Sequence, residues 1–124
     1  VGYQTRQFPA FYSVSSGLPV SARADQPEQI AQIALKHWGL GLQSAVLVVA
    51  PPPAELALDP QVVQQAIDKA LHAAKAANLR GQGITPFLLA EVSKQTKGAS
   101  LRVNLALLLN NAKIASQIAV QLAK

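Results

Sequence analysis

Cysteine and methionine are both missing from the 124 residues, and only 14% of them are charged, against roughly 25% in an average soluble domain. Without cysteine there is no disulfide, no zinc–thiolate site and no thiol nucleophile, although this leaves the compartment open. No apolar run approaches the ~20 residues of a membrane helix, which predicts a domain that does not span a membrane. No charged leader or apolar signal core opens the chain. It begins Val1-Gly2-Tyr3, which implies either processing or a piece of a longer polypeptide. Eleven Lys and Arg against six Asp and Glu give a net charge of +5, but the basic residues are scattered, without a run or interleaved aromatics. That distribution argues against a nucleic-acid surface.

What is plentiful is apolar: half of the residues are hydrophobic. A chain of this length fits one domain. Low charge with that much apolar surface predicts a face turned toward another domain or subunit.

Residues 1 to 24 carry Pro9, Gly17 and Pro19 among Phe8, Phe11 and Tyr12, the pattern of a short strand followed by an irregular, partly buried loop. Asp25-Gln26-Pro27-Glu28 has the form of a capping box. Ile30, Ile33, Ala34 and Trp38 follow at helical spacing, so a helix is expected over about 26 to 38. Ala45-Val46-Leu47-Val48-Val49-Ala50 is β-branched and does not alternate, which predicts a strand at about 45 to 50 buried on both faces of a parallel sheet. Asp59-Pro60 caps a second helix over about 60 to 78, with Val63, Ala66, Ile67, Ala70, Leu71 and Ala74 as its apolar stripe. Thr85-Pro86 opens a third over about 86 to 96. Ser100 caps a fourth over about 101 to 122 that carries neither Gly nor Pro.

The six acids all have ordinary explanations. Asp25, Glu28 and Asp59 stand at helix starts, where the dipole favours negative charge. Asp68 and Glu91 lie on polar helix faces, and Glu55 is a loop acid. His37 and His72 fall on different helices and suit a surface or boundary role better than a metal site. Gly81-Gln82-Gly83 lacks the third glycine and the preceding strand of a dinucleotide fingerprint. The unusual feature is Asn104, Asn110 and Asn111 within an apolar helix. Asn104 and Asn111 are one heptad apart on one face, and buried amides need partners. Either neighbouring loop backbone supplies them, or one amide points into a pocket and reads a polar ligand. Thr85-Pro86-Phe87-Leu88-Leu89 is a capped helix start whose free N–H groups suit an anion or carbonyl.

Several segments in order carry a resemblance: Gly2-Tyr3-Gln4-Thr5, Phe8-Pro9-Ala10-Phe11-Tyr12, the helix exit from Trp38 to Leu42, and the apolar strand with its proline exit. Thr85-Pro86-Phe87-Leu88-Leu89, Ser100-Leu101-Arg102-Val103-Asn104 and Asn110-Asn111-Ala112 continue it. Together they resemble the C-terminal part of the pseudouridine-5′-phosphate glycosidase family, which includes the indigoidine synthase A-like proteins. The chain departs from the family pattern at Ser44-Ala45, where paired glycines are usual, and at Ala50-Pro51-Pro52-Pro53, where Asn-Pro-Ile-Pro is usual.

The resemblance implies an α/β fold, helices packed on a buried, mostly parallel sheet, with residues 1 to 124 as the C-terminal portion of one larger α/β/α domain. It implies cleavage of pseudouridine 5′-phosphate to uracil and ribose 5-phosphate by a cytoplasmic homotrimer. The family uses a lysine Schiff base, a glutamate acid–base and an aspartate-held manganese ion (Mn2+). All three lie upstream of the Gly2-Tyr3 segment, so no catalytic residue or metal ligand is expected here and this segment alone is expected to be inactive. The resemblance places Asn104 in the site as a substrate-binding group, with Thr85 and Pro86 as further candidates lining the same cleft. A small nucleotide is then the expected partner, with neither nucleic acid nor membrane. The alternative is a non-catalytic binding or assembly module that keeps the fold.

Overall fold

The computed structural model describes all 124 residues. Its sheet is small. Strand β1 (Gly2–Tyr3) pairs in parallel with β2 (Arg23–Ala24), Gly2 opposite Arg23 and Tyr3 opposite Ala24. On its other side β1 meets the apolar segment through a parallel bridge between Gly2 and Val49. The Val1 amino group donates to the Leu47 carbonyl at 2.8 Å. Val49 N–H donates to Val1 and Tyr3 N–H to Val49, at 2.9 and 2.8 Å. Gly2 sits between both neighbours, and a Cβ there would collide with the Thr5 carbonyl oxygen.

Four helices accompany this sheet: α1 (Pro27–Gly39), α2 (Pro60–Ala76), α3 (Ile84–Gln95) and α4 (Ala99–Leu122). Three of the sequence-derived caps form differently. The Gln29 side chain, not Glu28, accepts the Asp25 and Gln26 N–H groups at 2.8 and 3.1 Å. Asp25 instead holds Arg23 at 2.7 Å. Thr85 does not cap α3, because a 3₁₀ turn over Gly81–Gly83 runs directly into the helix and moves its start upstream. Ser100 lies inside α4, whose cap is Gly98 at φ 78°, a conformation that glycine adopts freely. Asp59 caps α2 as expected, its Oδ1 accepting from Gln61 and Val62 N–H at 2.8 and 3.2 Å.

Helix α4 packs on both α1 and α3, while α2 packs on α3. The main core joins Tyr12 from the N-terminal loop to Val63, Ala66 and Ala70 of α2, Val92 of α3, and Val103 and Leu107 of α4. Beside it, Ser100 Oγ meets Thr96 Oγ1 at 3.0 Å, and Thr96 donates on to the Val92 carbonyl at 2.8 Å. Burial raises the Tyr12 phenol above its ordinary pKa of 10.0, with the nearby Ser100 side chain opposing it.

The α/β class with a parallel sheet is what the sequence implied, but the 45 to 50 segment is not buried on both faces. Leu47 is 65% exposed. The segment has β1 on one edge and no strand on the other, so it forms one bridge in place of a ladder. The outer face of α4 is also uncovered: Leu105, Leu108 and Leu109 are 54%, 60% and 75% exposed. Their i, i+3, i+4 spacing makes a continuous apolar stripe. No helix is long and apolar enough to cross a membrane.

Candidate active site

A groove of about 500 Å³ runs between the N-terminal loop, the 48 to 50 segment and one flank of α4. That size lies within the range of small-molecule sites, and its mainly apolar walls with a few polar groups fit the same description. The polar groups are Asn104 and Asn111, with Leu108 between them. Seven residues along a helix are two turns, about 10.5 Å of rise, so the two amides lie along one flank. The side-chain hydrogen bonds of α4 involve Ser100, Ser116 and Gln121. The carboxamides of Asn104, Asn110 and Asn111 bond to no loop backbone. Asn104 and Asn111 thus line the groove with carboxamides that have no intrachain partner.

The opposite wall comes from Phe8, Pro9 and Phe11. The loop folds back on itself, Phe8 N–H donating to Leu18 and Ser16 N–H to Phe8, at 2.8 and 2.9 Å. It is pinned to the core at Tyr12 and Ser13. Tyr12 is buried, and its carbonyl accepts from Leu58 N–H at 2.8 Å. Ser13 is buried too, and its hydroxyl donates to the Leu58 carbonyl at 2.9 Å. Phe11 remains outside that anchor, its ring 4.6 Å from the Tyr12 ring and edge-on to it. Sequence inspection singled out neither Phe8 nor Phe11 as a groove residue. Their one visible signal was a cluster of aromatics in a Pro- and Gly-punctuated loop.

Thr85 and Pro86 stand in the first turn of α3, both exposed. They are not among the groove's walls. His37 Nε2 donates to the Ser44 carbonyl at 3.1 Å and Trp38 Nε1 to the same oxygen at 3.3 Å, which ties the turn after α1 to its last residues. His72 lies on α2 beside Asp68 and Lys75 in a shallow surface depression. Asp68 accepts from Gln64 Nε2 at 2.9 Å. No three His, Asp or Glu side chains converge, so these residues offer no ligand set for the manganese ion that the resemblance implies.

Comparison with known proteins places this geometry among relatives. A family model described as indigoidine synthase A like protein matches residues 1–121. A protein of Gemmatimonas aurantiaca named pseudouridine-5′-phosphate glycosidase is 48% identical over 122 residues. These are 98% of this chain and 40% of that protein. One of the same name from Caldanaerobacter subterraneus is 40% identical over 124 residues, all of this chain and 40% of the relative. The chain thus spans about 40% of the length of these curated relatives.

Among solved structures, an indigoidine synthase A-like protein from Thermotoga maritima superposes with a TM-score of 0.87 at 31% identity, over 99% of this chain and 40% of that one. A prealnumycin C-glycosynthase in complex with ribulose 5-phosphate superposes with a TM-score of 0.85 at 27% identity, over 98% of this chain and 40% of its own.

Proposed function

The chain belongs to the indigoidine synthase A-like family, and on that premise we propose that residues 1–124 are the C-terminal portion of a single-domain C-glycosidase. Its reaction is the hydrolysis of pseudouridine 5′-phosphate to uracil and ribose 5-phosphate, reversible in principle. The observation that carries this reading is the 48% identity, over nearly the whole chain, to a relative named for that activity. A second relationship agrees in chemistry, since the structural neighbour crystallised with ribulose 5-phosphate is a C-glycoside-forming enzyme by name.

In this reading the groove contributes recognition and the remaining part of the protein contributes chemistry. Asn104 donates to and accepts from the substrate, which an amide free of intrachain partners is suited to do. Thr85 and Pro86 enter the proposal only as groups near the cleft of the complete protein. The Schiff-base lysine, the acid–base glutamate and the manganese ligand lie outside these residues. A lysine nucleophile needs burial or a neighbouring cation to lower its pKa. Lys36, Lys69, Lys75, Lys94, Lys97, Lys113 and Lys124 do not line the groove. Manganese, the homotrimer and a cytoplasmic location belong to the same proposal, and the bare leucine stripe of α4 is compatible with assembly.

Borohydride reduction of the full-length protein in the presence of ribose 5-phosphate tests this division. The reading predicts a reduced lysine adduct on a peptide outside residues 1–124. An adduct on one of the seven lysines of this chain, or none on any lysine, overturns it.

A further inference from the structure

The groove carries one feature that substrate recognition by Asn104 leaves unused. Phe11 has φ 60°, in the left-handed region where a bulky side chain is a genuine outlier. Tyr12 N–H donates to the Ala10 carbonyl across it at 2.7 Å, which makes a three-residue turn of the rare, strained kind with positive φ at its centre. Glycine would take that conformation without strain. Here the position holds a phenylalanine that is 50% exposed.

The next two residues hold the strain in place. Tyr12 and Ser13 are both buried, and both are bonded to Leu58. Ala10 N–H donates to the Ser13 carbonyl at 3.0 Å, which closes the loop over Phe11. The surrounding anchors therefore over-determine a backbone conformation that projects one apolar ring out of the core and into the wall of a groove. Strain of this type persists where the fold enforces it and gathers at ligand sites. On the α4 flank of the same groove stand the two free carboxamides of Asn104 and Asn111. An aromatic face together with unpaired amide donors and acceptors matches the requirements of a planar heterocycle: stacking on its π-face and hydrogen bonds to its edge.

We propose that Phe11 is the stacking platform for the uracil ring of the substrate, a specificity-determining residue that recognises the base and not the sugar phosphate. This assignment rests on the reading of the chain as part of a pseudouridine 5′-phosphate glycosidase. It adds to that reading a residue for which the two halves of the substrate differ. The ring acts only by contact with the base, so its loss affects ligands that contain uracil and spares those that do not.

The test is product inhibition in the full-length protein, with uracil and ribose 5-phosphate measured separately against Phe11→Leu and Phe11→Tyr. Leucine keeps the apolar bulk and removes the π-face, whereas tyrosine keeps both. The proposal predicts that Phe11→Leu weakens uracil inhibition about 10-fold, as loss of one base–aromatic stack does. Inhibition by ribose 5-phosphate stays unchanged, and Phe11→Tyr restores uracil binding. Equal weakening of both inhibitors, or no weakening of either, overturns it. If Phe11→Leu does not fold, 4-fluorophenylalanine placed at position 11 carries the test. Uracil must then shift its fluorine resonance saturably, and no shift overturns the proposal. Failure of the unsubstituted full-length protein to cleave pseudouridine 5′-phosphate is a separate result, which removes the underlying reading before any variant is made.

Discussion

Asn104 and Asn111 stand two turns apart on the same flank of α4, both in the wall of one groove and neither bonded to the rest of the chain. Because no intrachain partner is stranded by its removal, Asn104→Ala in the full-length protein should leave Tm nearly unchanged. A hydrogen bond to substrate is worth roughly 1–3 kcal/mol, somewhat more in a desolvated site, so kcat/KM should fall by about 10- to 1000-fold. Melting and steady-state kinetics on the same variant check this. A lowered Tm with normal kinetics would remove Asn104 from the site.

Core and surface leucine-type positions should separate sharply. Ile30 is 1% exposed, and Ile30→Ala should lower unfolding free energy by about 2–5 kcal/mol through lost burial and the cavity left behind. Leu40→Ala, just after α1 at a position 80% exposed, should change it by less than about 0.5 kcal/mol. Urea denaturation of the two variants measures both values, and comparable losses would contradict the packing described.

Alkaline stability should depend on Tyr12. Its pKa is raised in the folded state by burial, so the folded protein holds the phenolic proton more tightly than the unfolded chain does. The contribution is fully present below the ordinary tyrosine pKa of 10.0 and is lost as pH rises through the folded value. Unfolding free energy measured from pH 8 upward should decline above about pH 10. Tyr12→Phe should flatten the part of that decline that Tyr12 supplies; an identical alkaline slope in the variant would refute the linkage.

The stripe of Leu105, Leu108 and Leu109 should make the isolated 124-residue chain self-associate, since contiguous apolar patches of this kind mark interaction surfaces. Sedimentation velocity should show mass rising with concentration, and Leu105→Glu combined with Leu109→Lys should suppress it. A monodisperse, cooperatively folding monomer without those substitutions would count against this.

The helices were legible because their signals are local. Asp59-Pro60 marks the start of α2 through one side chain and one fixed φ. The absence of Gly or Pro beyond Ser100 marks α4, although its cap is Gly98 and not Ser100. The heptad of Asn104 and Asn111 on an apolar helix reads as a polar pair on one face. The missed features are set by what lies outside the segment itself, whether an adjoining turn or a distant partner. Thr85 has the chemistry of a cap, yet the 3₁₀ turn ahead of it takes the start of the helix. The exposure of Leu47 depends on which strands lie beside it, which no periodicity encodes. Phe11 owes its strained φ to bonds from its neighbours to Leu58, 45 residues beyond Ser13.

In the proposed division of labour, these residues form the recognition half of a C-glycosidase whose chemistry lies elsewhere in the polypeptide. Uracil release from pseudouridine 5′-phosphate in the presence of manganese, followed for the full-length protein and for the 124-residue chain alone, is the most direct check. Turnover is expected from the full-length protein, and none above the uncatalysed background from the isolated chain. Turnover by the isolated chain, or none by the full-length protein, would contradict that division.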